Sequence, residues 1–467
     1  MNHIDIYEHF NRQFVSLPSA EIKEIACNIK LESKKQNVFM FIDASGIKYI
    51  DIKLRPWFIT KSQVRFFHSV CLGLRSALNK LFPLYFRNKK IRDIFPFSEE
   101  EKSWFGLFNK KGLSPNQPVI ERLDSNVTFQ EKTWKDFKFI ESNSVGVGGI
   151  HYVPVINNII NKIVIPVVKK YLKGLEVSPT YDFRELLLDE MSSHARLIGR
   201  KRLNIALVEV LYDTEGGTDE FLGLKEYFDK KAVNTFVCDP RDLYLKRGEI
   251  YFKDNPIDVI YRDSEIYELI DIEKRGKSVE ALKRAFLNNQ ILSSIAGELD
   301  HKSAFEVLTR EDFSRYFTHW QRRLFKDYVL WTRLIFERNT TSPEGKRIDL
   351  INFIRRNKDR LVIKPNRAYG GKEVTIGIFT SRRQWEVLAE KTVKESLRYV
   401  VQELARIKKE TFPIYERGKT MLSDSYVISG FAATKTGIAF LGRASCEPVV
   451  NVSRGGALIA TLLLNTY

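Results

Sequence analysis

The chain has 467 residues, 43% hydrophobic and 28% charged, with 12% aromatics, 25 Gly and 15 Pro. That balance is globular and excludes disordered, collagenous and coiled-coil proteins. Lys and Arg total 75 against 58 Asp and Glu, a formal charge of +17, which favours an anionic partner: nucleic acid, a membrane surface or a phosphate-bearing ligand. At roughly 100–200 residues per domain the length predicts several domains and enough chain to form a cleft. No run reaches the roughly 18 apolar residues of a spanning helix. The longest, residues 156–168 and 457–464, are short or interrupted, and residues 1–20 hold acids and no apolar leader core. The expectation is a soluble, untargeted, cytoplasmic protein with no membrane partner. Cys27, Cys71, Cys238 and Cys446 are widely spaced, with no CxxC pair, as expected of reduced thiols rather than a disulfide framework or zinc site.

Taken in chain order, residues 38–60 alternate apolar and polar around Ala44-Ser45-Gly46 and predict a β-hairpin. Residues 66–86 have helical spacing. Two short β-like runs follow at 119–123 and 137–141, then a glycine-rich turn at Gly146, Gly148 and Gly149 and a helical tract over about 157–198. The continuous apolar run 202–211 predicts a buried parallel strand. Helix 221–230 and strands 234–238, 250–252 and 259–261 complete a strand-helix-strand, doubly wound pattern. A mainly helical region spans 264–338. Strand 360–364, a glycine-rich hairpin at 368–372, strand 374–379, helix 381–395, strand 399–404 and a β meander over 426–453 close the chain. The fold class is α/β (α+β) with mixed sheets.

The strongest chemical signal is LVIKPNRAYGGKEVTIG at 361–377. Lys364 ends an apolar strand, and Gly370 and Gly371 allow backbone N–H groups to approach phosphate oxygens beside a second cation, Lys372. It is not a Walker A loop, because Lys372 is followed by Glu373 and position 366 is Asn. YVVQEL puts Gln402, Glu403 and Leu404 at a strand end, where an adenine edge and ribose hydroxyls could be read. Near the other end of the chain, Arg122 and Asp124 (ERLD) and Glu141 and Asn143 (FIESNS) each lie at i and i+2. On a strand that spacing points both members to one face, and two carboxylates with an amide oxygen are hard ligands that suit Mg²⁺. Taken alone, the 361–377 run also reads as a solvated hairpin, 399–404 as an edge strand and the 122–143 pairs as wet strand faces.

Together they resemble the ATP-grasp enzymes, in the circularly permuted form shared with glutathionylspermidine synthase. The R-x-D and E-x-N strands come first and the lysines, GGK and QEL come last, the reverse of an ordinary ATP-grasp chain. The resemblance extends through GELDHK at 297–302, the stretch 239–263 and NVSRGG at 451–456. No amidase portion precedes these motifs, so the likeness is to a synthetase portion alone.

What the resemblance implies is an ATP-grasp fold with a doubly wound pre-ATP-grasp-like unit, divided as 1–118, 119–200, 201–338 and 339–467. It implies ATP-dependent ligation of a small-molecule or peptide carboxylate to an amine through an acyl phosphate, with release of ADP and phosphate. Asp124, Glu141 and Asn143 would hold Mg²⁺, and Arg122 and, on the late meander, Arg443 would stabilise the transferring phosphoryl group. Lys364 and Lys372 would clamp the phosphates with Gly370 and Gly371, and Gln402, Glu403 and Leu404 would form the nucleotide hinge.

Alternatives stay open at this point. A non-catalytic nucleotide-binding protein would share these motifs, and a nucleic-acid binder would exploit the charge. The basic clusters, such as RNKKIR at 87–92 and GRKR at 199–202, are nevertheless scattered as on a solvated surface. A basic cleft would suit an acidic acceptor. His151 could touch substrate and His301 could anchor a helix or loop. Arg262 and Asp263 end a strand of the doubly wound unit, as substrate-carboxylate ligands or as a structural ion pair.

Overall fold

The computed structural model describes residues 5–43, 46–111, 117–130, 134–212, 220–416 and 418–466. Two helices the sequence reading did not predict, Ile6–Val15 and Ser19–Lys35, open the chain, the first capped by the Asp5 carboxylate on the Tyr7 N–H (2.9 Å). The predicted hairpin is shorter than its alternation suggests. Phe39–Asp43 pairs antiparallel with Gly46–Tyr49, while the turn residues Ala44 and Ser45 lie outside the described residues. Asp51–Ile52 and Trp57–Thr60 instead join two other sheets. Trp57, Phe58 and Ile59 are all buried, so this strand is covered on both faces, which a two-stranded hairpin cannot provide.

The predicted helix 66–86 is two helices, Lys61–Leu78 and Leu81–Arg87. The first starts at a Thr60/Gln63 capping box. The second restarts so that Pro83 falls in a first turn, where its missing N–H costs nothing. The predicted tract 157–198 holds helices Tyr152–Ile163, Ile165–Lys169 and Phe183–Leu197, interrupted after Gly174 (φ +88°) by a strand, Glu176–Pro179. That strand and Trp57–Thr60 both flank Thr461–Thr466.

The middle of the chain contains a four-stranded parallel sheet in the order Ile291–Leu292, Val259–Arg262, Asn204–Val208, Asn234–Cys238. Helix Glu220–Lys230 precedes Asn234–Cys238. Residues 250–252 are not part of this sheet. Arg247 (φ +53°) and Gly248 (φ +81°) form a two-residue turn that folds Glu249–Phe252 back on Leu243–Lys246 as a hairpin.

A second four-stranded sheet, antiparallel, has the order Thr332–Leu334, Tyr399–Glu403, Leu361–Pro365, Thr375–Ile376. The predicted strand 374–379 is only two residues long. A Cβ at Gly377 would meet the Lys358 carbonyl at 1.8 Å, so the backbones cross there and the chain bends into a short 3₁₀ turn, Gly377–Phe379. Helix Arg382–Lys394 follows, with a Ser381/Gln384 capping box.

The largest sheet has seven strands and mixes distant parts of the chain: Asp51–Ile52, Ala457–Ile459, Ile438–Ser445, Lys419–Ala433, Arg122–Ser125 and Phe139–Asn143 in that order, with Lys409–Glu416 also paired to Lys419–Ala433. The predicted meander therefore begins earlier than residue 426, at Lys409, and Val452–Arg454 is a 3₁₀ turn. Among the described residues, no helix is long and apolar enough to cross a membrane.

A buried ion pair fixes the N-terminal segment to this sheet. Arg55 Nη2 lies 2.7 Å from Glu410 Oε2, both side chains only 1% exposed, and the Trp57 indole N–H donates to the same oxygen at 3.0 Å. Removing one partner strands a buried charge, so Glu410→Ala is expected to cost about 3–5 kcal/mol. Urea denaturation measures it, and a loss below about 1 kcal/mol would show that the pair does not anchor the segment.

Candidate functional site

The floor of the site follows from strand register. Arg122–Ser125 pairs antiparallel with Phe139–Asn143, Arg122 opposite Asn143 and Asp124 opposite Glu141. Opposed residues share a face, so these side chains emerge together. On its other side Asp124 is opposite Gly430. A Cβ there would sit 2.9 Å from Asp124 Oδ1 and 3.0 Å from Arg122 Cδ, so the missing side chain makes room for the pair.

Arg122 forks onto Asp124, Nε to Oδ1 at 2.9 Å and Nη2 to Oδ2 at 3.2 Å, and its Nη1 donates to the Gly148 carbonyl at 2.9 Å. Arg443 Nη2 reaches Asp124 Oδ2 at 2.7 Å, and Asn143 Nδ2 donates there at 3.4 Å. Burial would raise the Asp124 pKa, but the two guanidinium groups overcome it and hold the carboxyl below its usual range. Glu141 is likewise held low, burial being outweighed by Lys302 and Lys364, whose Nζ atoms lie 3.5 and 3.8 Å from Oε2.

The opposite wall comes from the antiparallel sheet. Lys364, near the end of Leu361–Pro365, is buried, and burial pushes its pKa down to about 8 against the pull of Glu141. Its Nζ donates to the Ile140 carbonyl (3.3 Å). Gly370 and Gly371 both take φ +69°, a conformation glycine adopts at no steric cost. A Cβ on Gly371 would strike Val449 at 2.7 Å, and Arg454 Nη1 donates to the Gly371 carbonyl at 3.0 Å. Gln402 Nε2 donates to the Ile140 carbonyl (3.0 Å) and to Thr332 Oγ1 (2.8 Å), tying this sheet to the Glu141 strand. Lys302 Nζ, besides facing Glu141, donates to the Ala368 carbonyl at 2.8 Å.

The far side is acidic. Glu220 accepts from the Gly149 N–H (3.0 Å) and the His151 N–H (2.7 Å), closing the glycine-rich turn against helix Tyr152–Ile163. Burial nevertheless pushes its pKa up to about 7, and that of nearby Asp263 to about 6. Asp263 follows Val259–Arg262, where the parallel sheet reverses its direction of growth, the usual place for ligands in such sheets. Its Oδ1 packs so closely on Gly146 (φ +63°) that a Cβ there would lie 2.1 Å away.

A cavity of about 510 Å³ runs along these surfaces, and it is lined by Arg122, Asp124, Glu141, Asn143, Lys364, Gly370, Gly371, Lys372, Gln402, Glu403, Leu404 and Arg443, the residues of the two constellations read from the sequence. Ile140, Leu330, Val362 and Ile376 form apolar walls beside the 402–404 segment. Sequence reasoning missed Lys302, Gly430 and Glu220 as site residues. Lys302 stands in the GELDHK stretch, which was a usable signal; Gly430 and Glu220 carried none. Arg262 is not a substrate ligand. It is fully buried, paired to Glu298 at 2.7 Å and donating to the Ser293 carbonyl at 2.7 Å, so the structural alternative holds. His151 and His301 are buried outside the cavity lining.

The donor set fits Mg²⁺. Among the described residues Glu141 faces ammonium groups at 3.5 and 3.8 Å, and Asp124 Oδ1 accepts one hydrogen bond, from Arg122 Nε, leaving oxygen lone pairs for a hard cation that binds through one or two carboxylates and phosphate oxygens. Among the described residues no three His, Cys, Asp or Glu side chains converge as a ready-made metal cage.

Among solved structures, the chain is similar to a glutathione synthetase-like effector from Globodera pallida in its apo form, with a TM-score of 0.63 at 10% identity over 97% of this chain and 99% of that one. The likeness is one of fold: a mixed α/β architecture of several sheets. A candidate γ-glutamylcysteine synthetase from Methylobacillus flagellatus aligns at 10% identity over 83% of this chain and 87% of that chain, with a TM-score of 0.39, too low to bear on the argument. No family model and no curated protein matches the chain.

The raised pKa of Glu220 makes a stability prediction. The folded state keeps this proton to about pH 7, whereas an unfolded Glu releases it near 4.5, so stability falls as pH rises between those values, by up to about 3 kcal/mol. Glu220→Gln lacks that component. Urea denaturation of both proteins from pH 4.5 to 7.5 should show the gap between them changing across the window; a constant gap would remove the assignment.

Proposed function

We propose that the protein is an ATP-dependent carboxylate–amine ligase of the ATP-grasp type, with its motifs in circularly permuted order. The observation that carries this is the meeting in one cavity of two groups from opposite ends of the chain: Arg122, Asp124, Glu141 and Asn143 on one wall, and Lys364, Lys372 and the 402–404 segment on the other. The fold shared with a glutathione synthetase-like effector supports it.

In this reading the nucleobase lies between Ile140, Leu330, Val362 and Ile376, with the 402–404 backbone at its edge. Lys364, Lys372 and the Gly370-Gly371 amides take the phosphates. Glu141, Asn143 and Asp124 would hold Mg²⁺, which neutralises phosphate charge when bound. A carboxylate oxygen of the acid attacks the γ-phosphorus in line, and the bond to the bridging oxygen breaks as ADP leaves. Arg122 and Arg443, already oriented by Asp124, face the charge that spreads over the phosphoryl oxygens, where preorganised cations act without reorganisation cost. The amine then attacks the acyl carbon, phosphate departs, and the amide forms as the amine loses a proton. Positioning and charge neutralisation carry the chemistry, so no side-chain nucleophile is required.

A ligand binding only the folded state at about 100 times its Kd adds roughly 2.7 kcal/mol. Thermal unfolding with Mg²⁺ and a non-hydrolysable ATP analogue should therefore shift the wild type by several degrees and leave Lys364→Ala unmoved. Equal shifts in both would remove Lys364 from the site. Once turnover is established, Arg122→Ala is expected to lower kcat far more than it weakens nucleotide binding; the reverse pattern would make Arg122 a ground-state ligand.

A further inference from the structure

The two carboxylates of the sheet wall are surrounded by cations. Asp124 is held by Arg122 and Arg443, and Glu141 faces Lys302 and Lys364, whose Nζ atoms lie 3.5 and 3.8 Å from its Oε2. These four cations against two carboxylates leave an excess of positive charge, to which a bare divalent cation would add. The polyphosphate of a nucleotide carries more negative charge than one such cation neutralises. A metal arriving with the nucleotide therefore meets attraction where a metal alone meets repulsion.

The two lysines differ in what holds them. Lys364 Nζ donates to the Ile140 carbonyl at 3.3 Å, on the strand of Glu141 itself. Lys302 is buried, and its Nζ donates instead to the Ala368 carbonyl at 2.8 Å, at the start of the glycine-rich hairpin. The segment around Lys302 is fastened to both walls. Asp300 Oδ2 accepts from the Ser144 N–H at 2.7 Å, next to Asn143. The Lys302 N–H donates to the Asn366 carbonyl at 3.0 Å and the Ser303 N–H to Asn366 Oδ1 at 2.8 Å. Its backbone is thus fixed from both sides, while its ammonium group spans the gap between Glu141 and the hairpin. The 3.5 Å separation from Glu141 is longer than the roughly 2.7–2.9 Å of a charge-assisted hydrogen bond, so the ammonium balances the carboxylate without consuming its lone pairs.

We propose that Lys302 is the internal counter-ion of the metal carboxylate: it neutralises Glu141 before nucleotide binds, and yields that oxygen only when phosphates arrive to take the ammonium in exchange. This rests on the ligase reading above, with Glu141 as a metal ligand, and adds an order to it. Free metal is kept out, and metal enters together with the nucleotide, beside the hairpin that Lys302 already holds.

Mn²⁺ binding, followed by loss of the free-ion electron paramagnetic resonance signal, tests this without nucleotide or turnover. Wild type should bind Mn²⁺ weakly and Lys302→Met about tenfold more tightly, because a unit charge beside the site is removed. Lys302→Gln, which keeps a donor for the Ala368 carbonyl, should show the same gain, and Lys302→Arg, which keeps the charge, should stay near the wild type. Adding Glu141→Gln to Lys302→Gln should abolish the gain. A side chain that merely braced its segment would act the other way, its loss weakening metal binding. Cooperative thermal unfolding verifies that each variant folds. Lys302→Gln binding Mn²⁺ no more tightly than the wild type, or a gain that survives Glu141→Gln, overturns the inference; a wild-type thermal shift with Mg²⁺ and the ATP analogue then leaves the ligase reading intact. Absence of that shift in the wild type overturns the ligase reading and this inference with it.

Discussion

The site depends on Asp124 being clasped by two guanidinium groups. A carboxylate buried this deeply is expensive in isolation, and each arginine alone would be an uncompensated buried cation. Asp124 resolves both problems by taking Arg122 from its own strand and Arg443 from a strand more than three hundred residues later. The interaction stitches an early hairpin to the late meander and fixes the direction of both guanidiniums before any ligand arrives. For the ligase proposed above, that is preorganisation, since orientation is settled during folding rather than during reaction.

Space had to be found for the clasp, and glycine supplies it. Gly430 sits opposite Asp124 in the ladder, where any side chain would press on the carboxylate and on the stem of Arg122. Gly146 makes the same allowance for Asp263, and Gly371 for the close approach of the 370–371 turn to Val449. Glycines inside or beside sheets usually weaken them. At Gly430 the lost propensity is offset by the Arg122–Asp124 pair that the extra space admits.

The cavity wall repeats the charge balance of the chain. The chain carries +17, and on the cavity wall cations outnumber their partners: Arg122 and Arg443 share Asp124, Lys302 and Lys364 share Glu141, and Arg406 and Lys408 share Asp136. Charge summed over a chain describes its long-range field; recognition is set by which groups remain unpaired at close range.

Local pattern in the sequence was enough to place Arg122 with Asp124 and Glu141 with Asn143 on strand faces, because the period of two is a property of the strand itself. It was enough for the parallel strands Asn204–Val208, a largely apolar run buried almost along its length, and Asn234–Cys238, a short β-like run, and for helix Arg382–Lys394, whose capping box is written in adjacent residues. It failed where partners are remote. Trp57–Thr60 reads as the arm of a hairpin, but its neighbours are Thr461–Thr466 and, across that strand, Glu176–Pro179. Residues 374–379 read as a strand, but the Lys358 backbone bends them. Nothing near Glu220, Gly430 or Arg262 in the chain reveals that the first closes a glycine turn, the second makes room for a carboxylate, and the third is consumed by Glu298. By itself the sequence determined which residue types share a face and where charge and backbone freedom are available. Which faces meet, and which charges are already spent when they do, was decided only by tertiary structure, because pairing between residues hundreds of positions apart leaves no local period to read.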